Sequence, residues 1–346
     1  MSTPTQQKVL VLQAKQGEFA LKTRDVPKPG PGDVLVKNVA VGLNPVEWKI
    51  QTWGILVEKY PVILGLDAAG VVEAVGEGVT SLKKGDRVLY QGWLEDDRAN
   101  YQEYSLIAAD LAAKFPEKVS FDQAATLPVA VATAAIGLYH PHGATKFVAP
   151  WAEGGKGKYA GTPLVVIGGS SVVGSLVIQL AKLSGFSPII TTASLKNAGL
   201  LKSYGATHVL DRNLSADALH AEVTKLTGGP VSVVYDAIST PETQNAAYGL
   251  LAAGGKLLVL LPEAVTETSE GRILSQVQGT VQLPHNAELG KALFRALPGL
   301  LESGEIKPLN FEVIPGGLGG VTTGLEKLKA NQVSASKLII HPSETA

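Results

Sequence analysis

Over its first hundred residues the chain alternates short apolar runs with glycine and proline. Val9, Leu10, Val11 and Leu12 form one run, Phe19, Ala20 and Leu21 another, and longer ones cover residues 33–41 and 70–75. Between them stand turn-forming segments at residues 27–32, 76–78 and 83–86. Short strands punctuated in this way predict a small β-barrel. From Ala124 the pattern changes. Residues 124–138 are alanine-rich and apolar throughout, which predicts one buried helix joining two domains. Residues 140–162 read as a long polar loop. Beyond it, Leu164, Val165, Val166 and Ile167 form a continuous apolar run suited to a parallel strand buried on both faces. Val173, Leu176, Val177, Leu180, Ala181 and Leu183 then keep helical spacing. Strands are expected again at 187–192, 207–210, 231–235 and 255–260, with helices near 200–204 and 289–301. Such alternation predicts an α/β fold whose doubly wound parallel sheet is of the Rossmann type. Two final strands, 310–314 and 337–340, are placed to rejoin the first domain.

Composition narrows the chemistry. A length of 346 residues exceeds what one hydrophobic core usually supports, so two domains are expected. Apolar residues at 45% and charged residues at 18% exclude a disordered chain or a coiled coil. The formal net charge is −1 and no lysine or arginine run suggests a nucleic-acid partner or a membrane anchor. The polar stretch at residues 1–8 and the absence of an apolar run of spanning length lead us to expect a cytoplasmic protein. There is no cysteine, which removes disulfides, thiolate catalysis and sulfur-ligated zinc.

The segment Gly168, Gly169, Ser170, Ser171, Val172, Val173 and Gly174 lies between an expected strand and an expected helix. Small residues there let the backbone approach a pyrophosphate, and the N–H groups opening the helix stabilise its charge. At the end of the next strand an acid would select NAD by bonding the ribose hydroxyl. Ser194, Lys196 and Asn197 stand there instead, and a hydroxyl and an ammonium favour the 2′-phosphate of NADPH. The plainer alternative makes Ser194 a helix cap and Lys196 a solvated surface residue.

With these residues in place, the chain resembles the medium-chain dehydrogenase/reductase superfamily, and within it the zinc-free quinone oxidoreductase and enoyl reductase branch. The motifs that carry the resemblance lie at residues 42–49, 65–72, 82–88, 125–128, 168–174 and 201–206. The resemblance implies a GroES-like β-barrel domain from residues 1–127 and 304–346, an inserted Rossmann NADP-binding domain at 128–303, and an active site in the cleft. Zinc-dependent relatives carry a cysteine near Asn44 and a His-Glu pair where this chain has Leu66 and Asp67. The departure implies a zinc-independent enzyme, with Asp67 ordering the cleft wall. The pattern is similar to that of the fungal trans-acting enoyl reductases, which share the motif that holds Asn44, Pro45, Trp48 and Lys49.

By the same resemblance Val46, Glu47, Trp48 and Lys49 approach the cofactor, Ser170, Ser171, Val172 and Val173 hold the pyrophosphate, and Ser194, Lys196 and Asn197 the adenosine phosphate. Arg212 stands where relatives often have a tyrosine, and Leu260, Leu261, Ser336 and Lys337 complete the cofactor site. The substrate is expected against Trp53, Tyr90, Leu138, Leu283 and His285. Hydride from NADPH would reduce an activated C=C bond of an enoyl thioester, enone or quinone, with Lys49, Asn44 and Thr133 as candidate catalytic residues. Trp53 falls about where enoyl thioester reductases place a tyrosine proton donor, which leaves Tyr60, Tyr90 or water for that role. A synthase or acyl carrier is a possible partner, and both monomer and homodimer remain open. So do two other functions: an NADPH-binding accessory or sensor, and a zinc-free carbonyl reductase.

Overall fold

A computed structural model describes residues 3–269 and 271–346, so Met1 and Ser2 of the polar amino-terminal stretch lie outside it. The first eight strands are β1 (Gln6–Leu12), β2 (Phe19–Asp25), β3 (Asp33–Gly42), β4 (Val62–Ile63), β5 (Asp67–Val75), β6 (Arg87–Gln91), β7 (Tyr104–Ala108) and β8 (Ala112–Lys114). Helix α1 (Pro45–Trp53) interrupts them, opened by Pro45, whose missing N–H costs nothing in a first turn, and closed by Gly54 in the left-handed conformation.

The alanine-rich run is two helices, α2 (Phe121–Ala125) and α3 (Pro128–Tyr139), where one was expected. The break falls at Pro128, which cannot donate to a preceding turn and biases Leu127 away from helical geometry. By length and composition Phe121–Tyr139 is apolar enough to cross a membrane, contrary to expectation, but 78% of its window is buried inside the protein, as in a core helix.

A second sheet follows: β9 (Leu164–Ile167), β10 (Ile189–Ala193), β11 (His208–Asp211), β12 (Val231–Asp236), β13 (Leu251–Val259) and β14 (Ile273–Gln276). Its order is β11-β10-β9-β12-β13-β14, parallel throughout. All four residues of β9 are buried, as its unbroken apolar run requires. Helices α4 (Val172–Ser184), α5 (Ala198–Tyr204), α6 (Ala216–Thr227) and α7 (Pro241–Gly249) connect the strands. Val165, Ile190, Val223, Val234, Leu251 and Leu257 belong to the core of this sheet.

The chain then enters α8 (Ala287–Glu302), β15 (Phe311–Val313), α9 (Val321–Lys329) and β16 (Lys337–Ile340). As expected, the last strands return: β16 pairs with β3, placing Ile339 opposite Gly42, and the larger sheet of the first unit runs β15-β16-β3-β5-β6-β8. A smaller sheet, β2-β1-β4, completes that unit.

Two compact units result, one of residues 1–129, 290–302 and 308–346, the other of residues 130–289 and 303–307. Side-chain contacts of the short pieces accord with this division. Lys291 and Glu302 of α8 form ion pairs with Asp110 and Lys118 of the first unit. Gln179 in α4 both accepts from the Lys307 N–H at 2.7 Å and donates to its carbonyl at 3.1 Å, drawing 303–307 into the second.

Candidate functional site

In the second unit only four residues separate the end of β9 from the start of α4. Gly168 takes a positive φ of 76°. A Cβ on Gly169 would lie 2.1 Å from Thr191 Oγ1, and one on Gly174 would lie 2.3 Å from the Gly168 carbonyl oxygen. The turn therefore has no room for larger residues. The Ser171 hydroxyl caps α4 by accepting from the Gly174 N–H at 3.0 Å. The N–H groups of Ser170, Val172 and Val173 have no acceptor among the described residues. Unpaired donors at the positive end of a 13-residue helix make a cradle for a phosphate, so this turn fits a dinucleotide.

Next to it, β10 and β11 end side by side, Ala193 opposite Asp211. Ser194 is half-buried and its hydroxyl caps no helix. Lys196 and Arg212 are exposed and form no ion pair among the described residues, while Asn197 is half-buried. The Asp211 carboxylate accepts from the Asn213 N–H at 2.9 Å. Two cations and an uncommitted hydroxyl suit a 2′-phosphate.

Leu260 and Leu261, both half-buried, follow β13. The Leu260 N–H donates to Ser239 Oγ at 2.7 Å. The turn after β12 is built on Asp236, whose carboxylate accepts from the Ile238 and Ser239 N–H groups and from the Thr243 hydroxyl. Burial pushes the Asp236 carboxyl up against those bonds. Ile238, 41% exposed, is the residue a Cβ on Gly168 would strike. Sequence reasoning missed this turn, although an Asp followed at short range by Ser and Thr is the signal of a side-chain-capped turn.

In the first unit α1 starts from a buried polar network. Asn44, its N-cap residue, donates from Nδ2 to Asp67 Oδ2 at 3.0 Å, and its Oδ1 accepts from Lys337 Nζ at 2.6 Å. Lys337 also meets Asp67 at 2.5 Å, with 2% and 0% of the two side chains exposed. The other Asp67 oxygen accepts from the Val129 N–H at 2.6 Å. Glu47, fully buried, accepts from the Asn44 N–H and the Tyr101 hydroxyl at 2.6 Å each, and from the Leu66 N–H at 3.1 Å. Burial pushes the Glu47 carboxyl up to about 7, against the pull of Tyr101, Asn44 and Lys337. Glu47 and Asn44 are thus committed inside the unit: neither offers its side chain outward, where it would be needed for cofactor or substrate. Lys337, expected at the cofactor, is likewise engaged in this network, and Ser336 beside it is half-buried.

The exposed side of α1 is different. Lys49 Nζ lies 5.6 Å from the ring centroids of both Trp48 and Trp53, which meet edge to face at 5.4 Å. It pairs with no carboxylate among the described residues, and burial lowers its pKa from that of an ordinary lysine. Trp48 Nε1 is buried without an acceptor among those residues, and Val46 is half-buried. Trp53 is 48% exposed, next to a depression of about 490 Å³ bounded by Lys15, Gly54, Leu56, Val57 and Glu58.

Two residues expected to line the substrate are corrected by burial. Tyr90 and Leu138 have no exposed surface, and the Tyr90 hydroxyl donates to Asn38 within its own unit. Tyr60 donates to the Val57 carbonyl at 3.3 Å. Thr133 is buried, with its hydroxyl pressed so closely on Gly279 that a Cβ there would lie 2.0 Å from it. Leu283 is half-buried and His285 exposed. The His285 carbonyl lies 2.8 Å from His140 Nε2, while His140 Nδ1 accepts from the His142 N–H, which fixes the proton on Nε2.

Residues 30–129 match the alcohol dehydrogenase GroES-like domain, and residues 172–270 match the zinc-binding dehydrogenase family. Along nearly its whole length the chain is similar to curated fungal proteins. It is 32% identical to a trans-enoyl reductase of Fusarium sp., over 96% of this chain and 98% of that one. A dehydrogenase of Emericella nidulans is 33% identical over 91% and 93% of the two chains. Among solved structures, a quinone oxidoreductase of Pseudomonas syringae superposes with a TM-score of 0.77 at 25% identity, covering 96% and 99%. A mycobacterial protein crystallised with NADPH gives 0.77 at 23%, covering 97% and 100%.

The second family is named for zinc, and the residues here do not suit that ion. Asn44, Leu66 and Asp67 supply neither thiolate nor imidazole, and the Lys337 ammonium already sits on the Asp67 carboxylate. Among the described residues no three His, Asp or Glu side chains converge elsewhere. Motifs, sheet order and full-length relatives agree, and the chain belongs to the medium-chain dehydrogenase/reductase superfamily of oxidoreductases, with fungal trans-enoyl reductases among its relatives.

Proposed function

We propose that the protein is an NADPH-dependent, zinc-independent reductase of activated C=C bonds, acting on an enoyl thioester, an enone or a quinone. The observation that carries this reading is the second unit's phosphate cradle, with Lys196 and Arg212 beside it and no acid placed to select NAD. The names of the trans-enoyl reductase relatives and of the quinone oxidoreductase neighbour support the reaction class.

Bound there, a reduced nicotinamide supplies hydride. The chain's own work is to hold the phosphates on the N–H groups of Ser170, Val172 and Val173, and to fix the 2′-phosphate with Ser194, Lys196 and Arg212. Hydride addition to a conjugated double bond leaves negative charge on the acceptor's carbonyl oxygen, which an ammonium offsets without a Lewis acid. Lys49 fills that role in its protonated form: it has no competing carboxylate among the described residues, and its Nζ lies 5.6 Å from the ring centroids of both Trp48 and Trp53. It then gives a proton to the carbon next to the carbonyl of an enone or enoyl thioester, or to the oxygen of a quinone, so that hydride and proton together account for the saturated carbonyl or the hydroquinone.

NADPH absorbance followed over a panel of enones, quinones and enoyl thioesters, with and without a chelator, tests the reading. Turnover to a saturated carbonyl product, or to a hydroquinone from a quinone, that is indifferent to chelation is expected. Tight NADPH binding with no turnover on any acceptor, formation of an alcohol, or loss of activity on chelation would each overturn it.

A further inference from the structure

Most of the polar groups buried in the first unit serve strands or turns. The cluster of Asn44, Asp67 and Lys337 does something else: it brings together the N-cap of α1, the start of β5 and the first residue of β16, from the two ends of the chain. An ammonium buried to this degree is expensive unless fully paired, and here it makes bonds of 2.5 and 2.6 Å to a carboxylate and an amide oxygen. Space is made for it by glycine. A Cβ on Gly42 would lie 2.8 Å from Lys337 Cε, 2.6 Å from the Ala125 carbonyl oxygen and 3.1 Å from Asp67 Cβ.

We propose that Lys337 is the resident cation of this site. It pairs the buried Asp67 carboxylate and positions α1, and Lys49 on it, through Asn44. The proposal rests on the zinc-free reading above. Its physical content is that Asp67 needs a positive partner, and that the partner is covalently part of the chain. Lys337 binds Asn44 Oδ1 while Asp67 binds Asn44 Nδ2, so the N-cap side chain is held at both ends and cannot rotate. The helix entry is therefore set, and Lys49 stands five residues after that cap. Lys337 touches neither substrate nor cofactor in this scheme; it is a positioning residue.

The test compares Lys337→Met, the double variant Lys337→Met/Asp67→Asn and the unaltered protein by thermal unfolding, NADPH titration and steady-state kinetics on one accepted enone. Removing the ammonium alone leaves a buried carboxylate unpaired, and the melting temperature should fall by about 8 °C or more. Neutralising the carboxylate as well should recover most of that fall. In the recovered double variant kcat should stay down about tenfold, because the amide oxygen of Asn44 has lost its donor, while NADPH affinity stays within about twofold. A single variant that melts like the unaltered protein overturns the proposal, as does a double variant with full kcat. A tenfold loss of NADPH affinity would also overturn it, by making Lys337 a cofactor ligand. Zinc content measured on the same unaltered preparation judges the zinc-free reading separately: one equivalent of zinc refutes that reading whatever the variants do.

Discussion

At the scale of single residues, Lys49 and Glu47 lie two positions apart on α1 and have opposite fates. Lys49 is half-buried against tryptophan rings with no anion paired to it among the described residues, and burial lowers its pKa. If its protonated form is the donor, kcat/KM falls as pH rises through a value below that of an ordinary lysine. Lys49→Met should reduce kcat about 10²-fold and abolish that alkaline limb, with NADPH affinity little changed; a pH–rate profile of both proteins checks it. Glu47 faces inward with its carboxyl raised from 4.5 to about 7. A carboxyl with a raised folded pKa binds more protons when folded, so this group's contribution to stability declines as pH rises from about 4.5 to about 7. Glu47→Gln should flatten that part of the melting-temperature profile. It should also cost about 1–3 kcal/mol, since an amide nitrogen cannot accept from the Asn44 N–H. Lys49 was legible as a candidate because it is a cation in a recognisable motif. The inward turn of Glu47 was not, because its partners Tyr101 and Leu66 arrive from other segments.

Among the elements, the glycine turn before α4 shows how local sequence can set local geometry. Gly169 and Gly174 are closed to side chains by a buried neighbour and by backbone, so Gly174→Ala should destabilise the protein by about 2 kcal/mol or more and weaken NADPH binding in parallel. Calorimetry with and without cofactor separates the two effects. Lys196 and Arg212 are exposed, so on the proposed reading each contact with a 2′-phosphate would be worth about 1 kcal/mol. Lys196→Ala should raise KM for NADPH about fivefold and leave KM for NADH unchanged, which erodes cofactor preference without harming kcat. Helix α8 was read correctly despite Pro298 in its interior. Its buried Leu293, Phe294, Leu297 and Leu301 each contribute about 1.5–3 kcal/mol, more together than the roughly 3 kcal/mol that an interior proline costs. The same logic failed at 124–138, where uniform apolarity hid the break at Pro128 because burial on all sides removes the periodic signal that marks a helix end.

For the molecule as a whole, the return of β16 to β3 joins chain ends some 300 residues apart and carries Lys337 to Asp67. Leu338 is fully buried and its carbonyl accepts from the Leu43 N–H at 2.9 Å. Leu338→Ala should cost about 2–5 kcal/mol by denaturant titration, with the loss confined to the transition of the first unit if the two units melt separately. By itself the sequence determined the class of fold, the phosphate turn, the lack of an acid after β10 and the absence of cysteine, because each depends on residues close together or on mere presence. Tertiary structure decided which polar side chains face inward. Asn44 and Lys337 look equally available to a ligand in the sequence, and they are consumed by Asp67 and by each other. A buried charge must find its partner wherever the fold brings one, and no local pattern encodes a partner 270 residues away.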